Sequence, residues 1–165
     1  MTTPQYDSRA LRNALGRFAT GVAVVTAIDP DGHPIGLTIN SFSAVSLEPP
    51  LVLWCLDNNS HNLAAFRKAS HHAITILAAD QEDISNRFAT WPTDRFAGLK
   101  WQAGAGGAPV LAGGCASFEV ANETAHAAGD HTIFVGRVER FSADPERVPL
   151  LFHAGRYARL APDQQ

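Results

Sequence analysis

Cysteine is nearly absent from this chain: two residues in 165, Cys55 and Cys115, each isolated in apolar, strand-like sequence. That spacing excludes a disulfide framework and a C-x-x-C redox pair, and it predicts two buried thiols. No apolar window approaches the ~18 residues a membrane span requires. The opening stretch MTTPQYDSRALRNALGRF has no apolar core of a signal peptide, so a cytoplasmic protein is expected. Excess charge is missing too, with 13 Lys plus Arg against 16 Asp plus Glu and no like-charge run longer than two residues. That balance excludes a nucleic-acid surface and an acidic tail.

Several catalytic signatures are also missing. There is no G-x-S-x-G elbow, no Walker loop, and no serine with a His and an acid in a recognised order. GAGGAP, residues 104–109, begins like a dinucleotide fingerprint, but Pro109 replaces the third glycine and no apolar strand leads in, so it reads as a flexible loop. Seven histidines raise the question of a metal. His71 and His72 are adjacent on a strand and point to opposite faces, His126 and His131 flank a glycine turn, and no metal site is expected.

The sequence does have enough apolar content, 45%, for one ordinary core, and its length fits a single domain across residues 1–165, with a core of about 8–160. Leu11, Leu15 and Phe18 recur at helical spacing, with Asp7 or Ser8 to cap and Gly21 to stop, which predicts an amphipathic helix over 8–19. Strands are expected over 22–28 and 35–42, joined by the DPDG turn at 29–32. A continuously apolar strand from Leu51, entered through Pro49 and Pro50, reads as buried on both faces. A short helix capped by Ser60 and ending near Ala69, a strand over 73–77, a helix over 81–88, a Gly- and Pro-rich connection over 90–111, and strands over 116–124, 132–141 and 150–160 complete the outline. Hairpin-like connections between six or more strands favour a closed antiparallel barrel over a doubly wound sheet.

One feature sits awkwardly in that outline. The segment GLTINSFSAVSLEPPLVLWCL, residues 36–56, places Thr38, Asn40, Ser41, Ser43 and Ser46 beside buried strands, where side-chain hydroxyls and amides must find partners. A loop wrapping a polar ligand would supply them.

Five ordered blocks, RFATGVAVVTA (17–27), the hydroxyl-rich segment above, DRFAG (94–98), GDHTIFVGRV (129–138) and PLLFHAGRY (149–157), resemble the short-chain flavin reductases, the reductase components of two-component flavin-dependent monooxygenases. The resemblance spans almost the whole chain. It implies a mainly β fold, the Greek-key antiparallel FMN-binding split barrel with short flanking helices. It implies a homodimer with flavin near the subunit interface, and hydride transfer from NADH or NADPH to FMN or FAD, with reduced flavin passing to a partner monooxygenase.

Residue by residue, the resemblance assigns Thr38, Asn40 and Ser41 to the polar edge of the flavin ring, Ser43 to its phosphate, and Leu56 and Asp57 to the ring border. Ser60 and Asn62 open a helix and are second phosphate candidates, although Ser60 reads equally as an ordinary cap. Phe88 reads either as a flavin neighbour or as core, and Phe152 and Tyr157 as stacking surfaces for nicotinamide or adenine or as barrel packing. His131 matches the family residue placed beside the nicotinamide, against a turn histidine bonded to Asp130. The sequence departs from the family at His72, where an aromatic is usual, at Thr75, where an asparagine is usual, and at Trp54, where a smaller aliphatic is commoner. Two other functions compete: a flavin-retaining reductase of a ferric chelate or corrinoid, and a non-catalytic barrel that carries flavin or haem.

Overall fold

The computed structural model of the chain describes residues 7–90 and 94–161. The stretch 91–93, within the predicted 90–111 connection, and the predicted domain's first six and last four residues lie outside the described residues. The first helix, α1, spans Ser8–Leu15, with Asp7 as cap: its carboxylate accepts the Arg9 N–H at 2.9 Å. It stops at Gly16, short of the predicted end at 19, and none of its residues is buried. The apolar stripe is real, yet Leu15 and Phe18 are left exposed.

The strands follow as β1 (Thr20–Gly21), β2 (Ala23–Ile28), β3 (Pro34–Ile39), β4 (Ser43–Leu47) and β5 (Pro50–Asp57), then helix α2 (Leu63–Lys68) and β6 (His71–Ile76). Helix α3 (Glu82–Ala89) leads to β7 (Trp101–Ala103), β8 (Pro109–Leu111), the long pair β9 (Ala116–Ala128) and β10 (His131–Ala143), and last β11 (Leu151–His153) and β12 (Arg156–Ala158). Seven strands form one sheet in the order β3-β2-β6-β9-β10-β5-β4, every pairing antiparallel. Its two outermost strands, β3 and β4, are consecutive in the chain, so the sheet curls back on itself around residues 40–42 without a closing ladder between them. This is the expected split barrel.

The barrel interior is filled by alternate residues of the strands, among them Val25, Ile39, Val52, Trp54, Leu56, Ile74, Val120 and Phe134, joined by Phe66 of α2, which meets Trp54 edge-on. At its centre Trp54 stacks on Phe134 with ring centroids 4.4 Å apart, and His72 meets Trp54, Phe66 and Phe134 edge-on. A second cluster, Val22, Val24, Leu77, Phe88, Leu111 and Leu150, packs on the other side of β2 beneath α3.

Several sequence expectations are corrected. β2 and β6 are buried on both faces, whereas β5 alternates: Val52, Trp54 and Leu56 point inward, and Leu51, Leu53 and Cys55 are half-exposed on the outer face. Continuous apolarity in β5 therefore marks one core face and one partly open apolar face. The hydroxyl-rich stretch is not a loop throughout, since 43–47 form β4. The 90–111 connection contains the β7–β8 hairpin, and GAGGAP is its turn, where Gly106 has φ +59° and a Cβ would run into the His71 ring at 2.5 Å. The final strand is a hairpin broken at Ala154 and Gly155, and β9 and β10 extend beyond their predicted ends. Both thiols are half-buried rather than buried.

Candidate functional site

Strand register brings the polar stretch and the GDH turn together. Ser43 lies opposite Leu53, and two residues earlier the Ser41 hydroxyl clasps the backbone of Cys55, accepting its N–H at 2.9 Å and donating to its carbonyl at 3.3 Å. On the other flank of β5, Ile133 lies opposite Cys55 and His131 opposite Asp57. The C-terminal end of β5 is thus bordered by residues 40–43 on one side and by His131 on the other, about 10 Å apart across two strand spacings. Leu53, Cys55, Ile133 and Val135 form a half-exposed apolar floor between them.

The turn after β5 closes the lower edge. Asp57 Oδ1 accepts the Asn59 N–H at 2.7 Å, and Ser60 Oγ accepts the Asn62 N–H at 3.3 Å, which makes two successive side-chain turns. The predicted capped helix starts two residues later than expected, at Leu63 with Asn62 rather than Ser60 in the cap position, with no side-chain cap bond and only six residues. Ser60 therefore shapes the approach to α2 rather than capping it. Asn62 makes no cap bond, so its amide is available.

His131 is half-exposed, with Nδ1 2.7 Å from Asp130 Oδ1. The imidazole partner holds the Asp130 carboxyl below its usual range, chiefly through that hydrogen bond. Cys55 faces the same floor, and burial pushes its thiol up, with the Ser41 hydrogen bond pulling it partly back.

A second group of predicted residues gathers around α3. Thr38, Asn40, Phe152 and Tyr157 line one cavity of about 200 Å³ with Val22 and Ser85. Thr38 Oγ1 donates to the Ser85 carbonyl at 2.6 Å, and the Tyr157 hydroxyl sits 2.7 Å from Ser85 Oγ and donates to Asn86 Oδ1 at 3.0 Å. Asn40 lines this cavity and also a cleft of about 670 Å³ between α1 and the β11–β12 hairpin, into which Arg12, Arg17 and Phe18 project. This cleft therefore adjoins the polar stretch but does not reach His131.

Two predicted residues are set back from the surface. Leu56 is 3% exposed and points into the barrel, so its side chain borders no outer ligand and only its backbone reaches the site. Phe88 is 1% exposed and meets Phe96 edge-on in the second core cluster. The donors of Thr38 and Ser41 are committed to Ser85 and Cys55, which leaves lone pairs to face a ligand, whereas the Asn40 and Asn62 amides and one nitrogen of His131 carry no protein partner among the described hydrogen bonds.

Thr132, Asn58 and Arg67 were not legible as site residues; they join the β5 turn to the GDH turn through hydrogen bonds between residues 65 to 74 positions apart. A grouping of Asp29, Asp31 and His33 in the β2–β3 turn also escaped the sequence reading. There Asp29 Oδ1 accepts the N–H groups of Asp31 and His33, at 2.9 and 2.8 Å, an ordinary turn-forming use of an aspartate.

The chain is similar to known proteins over nearly its whole length. The flavin reductase like domain profile matches residues 15–161. The FMN reductase (NADH) SmoA of Agrobacterium fabrum is 49% identical over 155 residues, covering 94% of this chain and 87% of that protein. The flavin-dependent monooxygenase reductase subunit HsaB of Rhodococcus jostii is 40% identical over 158 residues, covering 96% and 80%. The solved structure of the Streptomyces globisporus NADH:FAD oxidoreductase SgcE6 with NAD and FAD fragments superposes with a TM-score of 0.91 at 38% identity, covering 100% of both chains.

Proposed function

The chain belongs to the flavin reductase like family, and from that premise we propose that it oxidises NADH or NADPH by passing hydride to FMN or FAD on the outer face at the end of β5. The observation that carries the site is the register that sets the Ser41 clasp on Cys55 beside the His131–Asp57 pair. The two nucleotides supply the redox chemistry themselves, a hydride leaving nicotinamide C4 for flavin N5. The protein's share is placement and exclusion of water.

The available groups fit that task. The floor of Leu53, Cys55, Ile133 and Val135 gives a planar aromatic ligand an apolar seat. Asn40, with the backbone of residues 40–43, offers both donors and acceptors to a ring's polar edge; Ser43, opposite Leu53, is one phosphate candidate, and Ser60 with Asn62, beyond the end of β5, is the second. Asp57 and the Leu56 backbone border the ring. His131, held by Asp130, keeps its second nitrogen for the nicotinamide carboxamide or for the charge of reduced flavin. Phe152 and Tyr157, meeting edge-on at 5.7 Å, form the wall nearest Asn40 and serve as the stacking surface for the second nucleotide.

The chain works as a homodimer in this proposal, supported by the uncovered Leu11, Leu15 and Phe18 of the α1 region and by an open, shallow site that a second subunit would deepen. Its reduced flavin goes to a flavin-dependent monooxygenase, as the designation of HsaB as a reductase subunit supports. Among the described residues no helix is long and apolar enough to cross a membrane. A cytoplasmic setting, where the thiols of Cys55 and Cys115 stay reduced, completes the proposal.

The test is NADH and NADPH oxidation followed by absorbance, with and without added FMN, FAD and riboflavin. Turnover that saturates with added flavin is expected. Flavin bound at stoichiometry with no turnover by either nucleotide would move the protein to the carrier class.

A further inference from the structure

The two turns that frame the β5 end are tied together by three side chains outside the set the family resemblance assigned. Thr132, adjacent to His131, is 0% exposed. Its hydroxyl takes a hydrogen bond from Arg67 Nη2 at 2.9 Å and donates to Asn58 Oδ1 at 2.8 Å. Asn58 then spends its remaining groups on the opposite turn: Nδ2 donates to the Gly129 carbonyl at 3.2 Å and its backbone N–H to the Asp130 carbonyl at 2.9 Å.

The direction of each bond is fixed by chemistry. Arginine has donors only, so Thr132 Oγ1 must accept from Arg67, and its single proton is left to point at Asn58 Oδ1. That acceptor assignment turns the Asn58 amide nitrogen toward Gly129. One orientation satisfies every group. The β9–β10 ladder fixes the backbone up to Ala128 and from His131 onward, whereas within the turn Gly129 has φ +62° with open space where a Cβ would stand and Asp130 is exposed, so the Asn58 bonds are what tie these two residues to β5.

We propose that Arg67, Thr132 and Asn58 form a positioning relay that fixes the turn at 129–131 against the end of β5, setting where His131 stands and hence the affinity for the nicotinamide nucleotide. This rests on the reading of His131 as the nicotinamide neighbour. The three are positioning residues, since none need touch either nucleotide. The flavin contacts at 40–43, on the far side of β5, are left in place when the relay is cut.

Steady-state kinetics with NADH varied at saturating FMN, then FMN varied at saturating NADH, test this on the full chain and on Thr132→Val, Thr132→Ser, Asn58→Ala and His131→Ala, with thermal unfolding of each. Valine keeps the shape of threonine and removes both hydrogen bonds; serine keeps both. Thr132→Val and Asn58→Ala are expected to raise KM for NADH about tenfold, with KM for FMN within about twofold and Thr132→Ser close to the parent. Asn58 is at the surface, so Asn58→Ala carries the test if Thr132→Val fails to fold. A rise in KM for NADH with His131→Ala but not with Thr132→Val or Asn58→Ala overturns the relay and leaves the nicotinamide reading standing. A rise in both Michaelis constants together shows a merely structural role and also overturns it. An unchanged KM for NADH in His131→Ala refutes the nicotinamide reading and the relay with it.

Discussion

Acidification should weaken this fold through one residue. His72 is 2% exposed, enclosed edge-on by Trp54, Phe66 and Phe134, and its Nε2 sits 3.0 Å from the Phe66 carbonyl. Burial is the main cause that lowers its pKa from 6.5 to about 4, the Phe66 hydrogen bond opposing and His71 assisting. The folded state therefore holds a neutral ring over the whole interval in which the unfolded chain takes up a proton. Stability is full above pH 6.5, declines as pH falls through the unfolded value, and stops declining near pH 4, where the folded state protonates too. At ~1.36 kcal/mol per pKa unit the total loss is about 3 kcal/mol, of which about 2 kcal/mol has gone by pH 5. Urea unfolding of the parent and of His72→Phe at pH 7.5 and pH 5 isolates this contribution, because every other titrating group cancels in the comparison. His72→Phe keeps an aromatic ring and surrenders the bond to Phe66, so it starts about 1 kcal/mol lower at neutral pH. It should then lose about 2 kcal/mol less than the parent on acidification. Equal losses in the two proteins would refute the reasoning.

Ser41→Ala removes both bonds to the Cys55 backbone and should lower stability by about 1–2 kcal/mol in urea titrations, with weaker FMN binding measured by flavin fluorescence. Trp54→Ala empties the centre of the barrel, where it stacks on Phe134, and should cost about 3–5 kcal/mol by the same titration. Gly114→Ala would place its Cβ 2.7 Å from the Ile76 carbonyl and 2.5 Å from Thr75 Cγ2; because part of that obstacle is backbone, a marked fall in melting temperature is expected. Cys55, whose thiol is pushed up by burial, should react slowly with maleimide at neutral pH, and saturating FMN should slow it further while leaving Cys115 unaffected.

Much of the barrel was legible because alternation and turn chemistry are local signals: DPDG turns β2 into β3 through an Asp29 side chain that caps its own turn, and Gly32 with φ +88° completes it. The hydroxyl run raised the right question, since buried hydroxyls need partners. Half of the answer proved to be internal, with Thr38 answered by Ser85 and Ser41 by Cys55. Burial on one or both faces of an apolar strand was not legible, because β2 and β5 are equally apolar and only tertiary packing separates them. Short strands such as β7 and β8 lack the length for a periodic signal. The Arg67–Thr132–Asn58 connection left no trace in sequence because its members are far apart and individually ordinary. His72, read as a departure from the family, takes the place of an aromatic by becoming one, neutral and ring-packed.

The central claim is the location of the flavin, and amide hydrogen exchange with and without FMN tests it most directly. Slowed exchange is expected in residues 40–43, 55–62 and 129–132, on the two sides of the β5 end. Protection confined to the cavity of about 380 Å³ bordered by Lys100, Trp101 and Gly114, with those three segments unchanged, would contradict it.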